Sequence, residues 1–333
     1  MNAVEAIDLT KIYDNRLIAL NRTNLTIPKG TVFGLIGSNG AGKTTTLRLI
    51  LGLNRPTAGT VRVFEEPVGP NSGKLRSRMG FLSQTGSYPP HLNPISYLDF
   101  IGRLFGVPPK ERRARLSALI HAVELLPASF QRIETLSTGM KTRLGIAASL
   151  INDPDLLLWD EPTIGLDPTG RKYTLDLIKA LKSEGKTIIL STHILPDADQ
   201  VCDQIGILNH GKLIFNGSIT EMKKLIHRDV VDLALQGDIK GLLTSLNAEE
   251  PDLSCEQVGE DVIRVAFRNG RNLSNDLNRV LDAVSRHGVG ILSIRSAGEI
   301  EDAFLKHLED DQLRGFSRAY PDREPSDMGF LQT

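Results

Sequence analysis

Short apolar runs, each closed by polar residues, punctuate the chain. The run at 31–36 stops at Gly37, the run at 79–83 at Gln84, the run at 156–159 at Asp160 and Glu161, and the run at 187–192 at His193. Each is short and rich in β-branched or large apolar residues, which predicts buried strands that open onto a site at their polar ends. Between them the period changes. Leu47, Ile50 and Leu51 recur at helical spacing up to Gly52, and the apolar residues of 141–150 do so behind Ser137, a residue suited to cap a helix. The pattern at 94–126 is also helical, broken by Pro108 and Pro109.

The flanks complete the pattern. Residues 3–9 and 23–27 alternate as strands around a turn at Asp14, Asn15 and Arg16; a turn at 56–59 precedes a strand at 60–64; and 205–208 and 212–215 form a hairpin across Asn209, His210 and Gly211. Beyond Met222 the segments 230–235, 242–246, 253–258, 262–267, 273–286 and 290–295 read strand, helix, strand, strand, helix, strand. That order suits a small ferredoxin-like α+β domain, with 299–308 as a closing helix. From Asp310 onward the chain is polar with Pro321 and Pro325, as expected of a disordered tail.

Composition narrows the class only a little. At 333 residues the chain has room for about two domains, and 40% hydrophobic residues with a net charge of −1 describe an ordinary globular protein. No run approaches the roughly 18 apolar residues of a membrane span, and no basic leader precedes one, so any membrane role is expected to come through a partner. Cys202 and Cys255 lack metal or redox spacing and read as reduced thiols of a cytoplasmic protein. Lys110, Arg112, Arg113 and Arg115, with Glu111 among them, read better as a solvated helix face than as a nucleic-acid site.

The chemistry lies where the runs end. Gly37, Ser38, Asn39, Gly40, Ala41, Gly42, Lys43, Thr44 and Thr45 fill every slot of G-x-x-x-x-G-K-[ST] between a strand and a helix. Unpaired amides and the positive helix end point into such a loop, so it cradles a polyphosphate. Lys43 reaches the β/γ oxygens, and the Thr44 hydroxyl suits Mg2+. Asp160 and Glu161 are costly to bury without a cation or a proton to handle; Asp160 suits Mg2+ through water, and Glu161 suits activation of the water that attacks a γ-phosphate.

Several positions stay open on the residues alone. Gln84 offers an amide oxygen to a metal ion or water, or is an exposed loop residue. His193 bonds a γ-phosphate or a backbone group, Tyr13 stacks on an adenine or packs on a strand edge, and the amides at Ser137, Thr138 and Gly139 face either solvent or an anion.

Taken in order, these pieces resemble the ATP-binding cassette (ABC) ATPases, the motor subunits of ABC transporters, over roughly residues 3–225. Gly37 to Thr45 is similar to the family's Walker A, Gln84 to its Q-loop, Leu136 to Met140 to its signature motif, Leu156 to Glu161 to its Walker B, Ile164 to Asp167 to its D-loop, and His193 to its switch histidine. Tyr13 falls where the family's adenine-stacking aromatic lies. The resemblance implies a P-loop NTPase with a RecA-like sheet, an antiparallel β subdomain and a helical insert at about 94–150, all within 1–225. An accessory domain at 226–308 and a tail at 309–333 follow.

The resemblance also implies that the chain binds and hydrolyses ATP with Mg2+, with Glu161, His193 and Gln84 catalytic and Thr44, Gln84 and Asp160 around the metal. The partners it implies are membrane-spanning permease subunits on separate chains and a second ATPase subunit in a head-to-tail dimer, expected to be another copy of this chain. Each ATP would lie between one subunit's Walker A and the other's Ser137, Thr138 and Gly139. The chain would sit on the cytoplasmic face of the cell membrane through its permease, with no nucleic acid involved. Where the usual signature is L-S-G-G-Q, Thr138 and Met140 depart from it. Such variants look like the exporter branch with ABC-2-type membrane partners. Importer motors with a ligand-sensing C-terminal domain, and non-transport ABC proteins, are the rivals.

Overall fold

The computed structural model describes residues 1–14, 17–225, 230–249, 253–259, 261–267 and 273–296. In chain order, β1 (Asn2–Ile12) and β2 (Ile18–Pro28) pair antiparallel, and β3 (Val32–Ile36) runs into the glycine loop and α1 (Lys43–Ile50). β4 (Ala58–Val63) returns to β1, β5 (Glu66–Pro67) turns back on β4, and α2 (Gly73–Arg76) leads to β6 (Met79–Leu82). A helical stretch follows, with α3 (Pro94–Leu104), α4 (Pro109–Ala122) and α5 (Thr138–Leu150). Next come β7 (Leu156–Asp160), α6 (Pro168–Ser183), β8 (Thr187–Thr192), α7 (Leu195–Val201), β9 (Gln204–Asn209), β10 (Lys212–Ser218) and α8 (Ile219–Leu225). The last described elements are β11 (Val230–Gln236), α9 (Ile239–Glu249), β12 (Leu253–Gln257), β13 (Val262–Phe267), α10 (Leu273–Arg286) and β14 (Gly290–Ser296).

Two compact units result, one ending at Gly217 and the other beginning at Ser218, eight residues before the boundary expected at 225/226. In the first unit a six-stranded sheet runs in the order β10-β9-β3-β8-β7-β6, with β6, β7, β8, β3 and β9 parallel. Every residue of β3, β7 and β8 is buried, as a parallel sheet covered on both faces requires. Successive residues alternate between two cores: Leu156 and Leu158 face one with Leu47, Ile50 and the β1–β2–β4 sheet, while Leu157 and Trp159 face the other with Leu98, Leu144 and Ile178 of the helices. The Trp159 indole N–H, buried there, donates to Ser149 Oγ at 3.0 Å.

Three local expectations change. The strand expected at 60–64 is β4 at 58–63, and Phe64 and Glu65, with φ of 49° and 69°, form the tight turn into β5. The Phe64 ring also meets two cations, Lys29 Nζ at 5.0 Å from its centroid and the Arg78 guanidinium at 4.3 Å. Gly59, expected in a turn, lies inside β4 opposite a bulge in β1; a Cβ there would come within 2.4 Å of Asp8 O. The basic stretch of α4 is not simply solvated: Arg112 bonds Asp99 of α3 and Val107 O, and Arg115 bonds Glu111 and Ile151 O. Arg112 holds the Asp99 carboxyl below its usual range.

The second unit is an antiparallel sheet in the order β12-β13-β11-β14, with Leu233, Ile263, Val265, Leu242 and Val280 in its core. Cys255 packs there, where burial pushes its thiol up to about 11, and both cysteines are free. Asn15, Arg16, the helix expected at 299–308 and the tail lie outside the described residues.

Candidate functional site

Sheet order is what assembles the site. β3, β8 and β7 are neighbours in space though far apart in sequence, and their carboxyl ends carry the glycine loop, His193, and Asp160 with Glu161. Ligands of open α/β sheets bind at such strand ends. The loop is tightly built. A Cβ at Gly37 would lie 2.4 Å from Leu208 O, and Gly42, at φ 114°, has Ala19 O in the place a Cβ would take.

Lys43, the first residue of α1, is buried and held by its own loop: its Nζ donates to Gly37 O at 2.7 Å and Ser38 O at 3.3 Å. It also lies 3.3 Å from Glu161 Oε1, so the two buried charges neutralise each other. Glu161 follows β7 at φ 54°, a left-handed backbone rare for a residue with a side chain. Both of its carboxylate oxygens are 3.0 Å from His193 Nδ1. A carboxylate only accepts, so Nδ1 carries the proton. The Thr44 hydroxyl donates to Asp160 Oδ2 at 2.8 Å, and the two oxygens together suit a hard divalent cation.

A cleft of about 420 Å3 opens over this cluster, lined by Asn39 to Thr45, Glu161, Gln84, Ala19 and Tyr13. The Tyr13 phenol is tethered, accepting from Asn54 Nδ2 at 3.0 Å and sharing a 3.3 Å hydrogen bond with Thr45. Lys11 Nζ is 5.2 Å from the ring centroid. A ring fixed beside the phosphate loop can take a base by stacking. Tyr13→Ala is therefore expected to weaken ATP more than inorganic triphosphate in calorimetric titrations; equal losses for both ligands would make Tyr13 a packing residue.

Ser137, Thr138 and Gly139 do not line this cleft. Ser137 caps α5, its Oγ accepting from Met140 N at 3.2 Å, and Thr138 opens the helix. This end packs on the segment after Glu161: a Cβ at Gly165 would lie 3.4 Å from the Thr138 methyl, and one at Gly139 3.3 Å from Leu166. Asp167 caps α6 through Gly170 N. Behind Glu161, Thr163 and Arg171 both donate to buried Asp197 at 2.6 Å.

Two residues that join the cluster carry weak sequence signals. Asn54 lies in an ordinary loop, and only its contact with Tyr13 marks it. Ser191 is the polar member of a run that is otherwise apolar from Ile188 to Leu190. Its hydroxyl donates to Asp160 Oδ1 at 2.5 Å and accepts from Glu161 N at 3.0 Å.

Comparison with known proteins adds the family. The model of the ABC transporter family matches residues 20–164. The chain is 39% identical over 233 residues to the daunorubicin/doxorubicin resistance ATP-binding protein DrrA of Streptomyces peucetius, covering 70% of each. It is 38% identical over 298 residues to the Nod factor export ATP-binding protein I of Cupriavidus pinatubonensis, covering 87% of this chain and 86% of the relative. Among solved structures, the dimeric post-hydrolysis state of the ATP-binding cassette MJ0796 bound to ADP and Pi superposes with a TM-score of 0.61 at 27% identity, over 65% of this chain and 98% of that one. Identity sustained over most of the chain, across a phosphate loop that the sheet places against two carboxylates, puts this protein in the ABC transporter family as an ATP-binding subunit that hydrolyses ATP.

Proposed function

We propose that the chain is the motor of an exporter, working on the cytoplasmic face of the membrane through separate permease subunits and closing on a second copy of itself around ATP. The observation that carries this reading is the 38% identity to a Nod factor export ATP-binding protein over 86% of that relative. The dimer reading takes support from the dimeric cassette with ADP and Pi. Ser137, Thr138 and Gly139 lie outside the chain's own cleft and have amides free at a helix start, as residues that complete a partner's site would. The antiparallel order of the second unit supports a ferredoxin-like accessory domain.

In this mechanism the triphosphate takes Glu161's place beside Lys43, because it brings more negative charge to the ammonium than one carboxylate does. That exchange frees Glu161, aimed into the cleft by its left-handed backbone, to accept a proton from the attacking water. His193 holds the freed carboxylate through Nδ1. Tyr13 takes the adenine, and Gln84 at the cleft rim positions water. Thr44 and Asp160, an all-oxygen pair 2.8 Å apart, fit Mg2+, which supplies charge neutralisation to the β/γ oxygens when bound.

Docking on a permease calls for an apolar surface, since no described helix is long and apolar enough to cross a membrane. α3 supplies one: Phe100 and Leu104, one helical turn apart, are 46% and 68% exposed, and Phe105 beside them is 42% exposed. Phe100→Asp combined with Leu104→Asp is expected to leave ATP affinity within about twofold while releasing the chain from the membrane fraction of cells that also make its permease. Sedimentation of this variant with membranes, as the native chain does, would remove α3 from the docking surface. A native chain that never sediments would remove the transporter reading itself.

A further inference from the structure

We infer that Ser191 is a positioning residue of the ATPase site, fixing which oxygen of Asp160 faces the phosphate loop and holding Glu161 in its left-handed turn; this rests on the nucleotide-site reading above. Ser191 is fully buried at the end of β8, directly across the ladder from Asp160. It reaches both carboxylate residues at once. Its hydroxyl sits 2.5 Å from Asp160 Oδ1 and accepts from Glu161 N at 3.0 Å, while its carbonyl accepts from the same N–H at 3.2 Å.

A hydroxyl has one proton. Because Ser191 Oγ is already an acceptor for Glu161 N–H, its proton is directed at Asp160, and that hydrogen bond pins one carboxylate oxygen into the sheet. The other oxygen, Oδ2, is then the one turned toward Thr44 and the loop. Were the Thr44 hydroxyl to turn to a metal ion, Asp160 would lose that donor, and Ser191 would be the remaining side-chain donor to its carboxylate among the described residues. The Glu161 amide is equally dependent: a left-handed backbone persists where its surroundings over-determine it, and both acceptors for this N–H belong to Ser191. On β8 Ser191 lies between Leu190 and Thr192, whose hydroxyl is already taken by Ile194 N at 2.9 Å, and on β3 its partner in register is Leu35.

The test separates metal-assisted binding from binding in general. Full-length chain is titrated calorimetrically with ATP in Mg2+ and again in EDTA. Ser191→Ala is expected to reduce the gain in ATP affinity conferred by Mg2+ by about tenfold, as for the loss of a hydrogen bond to a charged group, with affinity in EDTA unchanged. Ser191→Thr, which keeps the hydroxyl, should retain the gain, and Ser191→Cys, of similar volume but a weak donor, should lose it even if the alanine variant folds poorly. A native Mg2+ gain in Ser191→Ala and Ser191→Cys overturns the assignment. So does an equal loss of affinity in EDTA, which would mean general distortion. Lys43→Ala, run alongside, should lose ATP under both conditions; if it binds normally, the nucleotide-site reading fails instead.

Discussion

Lys43→Ala should lower ATP affinity by about a hundredfold, the equivalent of two charge-assisted hydrogen bonds to phosphate at about 1.5 kcal/mol each. Before nucleotide arrives, the ammonium is already engaged by Gly37 O, Ser38 O and Glu161. Part of the gain from phosphate is therefore offset by contacts given up, and the net effect depends on the triphosphate outbidding a single carboxylate. It does so on charge, and it also brings its oxygens to the amides of the loop and the helix start. The variant itself should stay folded, since Glu161 keeps His193 as a partner and is not left as an isolated buried charge. Thermal unfolding separates the effects: at one fixed ATP concentration the native chain should gain far more melting temperature than the variant, while their melting points without nucleotide stay close. Unchanged affinity by calorimetry would dismiss the phosphate-cradle reading of residues 37–45.

The parts of this site that can be read along the chain are those made by neighbours in sequence. A strand, a glycine loop and a helix start are contiguous, so Gly37 to Thr45 announce their geometry before any sheet is drawn. Ser137 likewise declares itself as a cap, because the residue and the amide it bonds lie three positions apart. Contacts between elements are not written this way. Nothing in residues 187–192 says that β8 lies between β3 and β7, and only that order brings Ser191 against Asp160 and His193 against Glu161. The same holds for Phe64, read as a strand residue, which forms the turn by which β4 pairs with β5 and meets two cations from other segments. Arg112 and Arg115 look solvated beside Lys110 and Arg113, and their acceptors on α3 and at the end of α5 come into view only once the helices pack.

Glu161→Gln should turn ATP from a substrate into an adhesive. The amide keeps the length and shape of the side chain, can still accept from Lys43 or His193, and suits the same backbone at φ 54°, so the empty site should be little changed. What disappears is the basic carboxylate that we propose takes a proton from the attacking water, a contribution of about 10²- to 10⁴-fold to rate. Hydrolysis should fall by that factor while ATP affinity stays near native or rises, because the loss is confined to the transition state. Removing the negative charge beside Lys43 also removes the group that competes with phosphate for the ammonium, which pushes affinity further upward. If the dimer closes around ATP, the variant should then accumulate as an ATP-dependent dimer in light scattering and revert to monomer when ATP is withdrawn. Thr138 and Met140 bear on where to look: a threonine replaces the usual glycine at the start of α5, where its methyl already packs toward Gly165. The measurement therefore belongs both on the isolated chain and on its complex with the membrane partner proposed above. Hydrolysis at the native rate in that complex would show that Glu161 is not the base, and the proton would have to leave the water by another route.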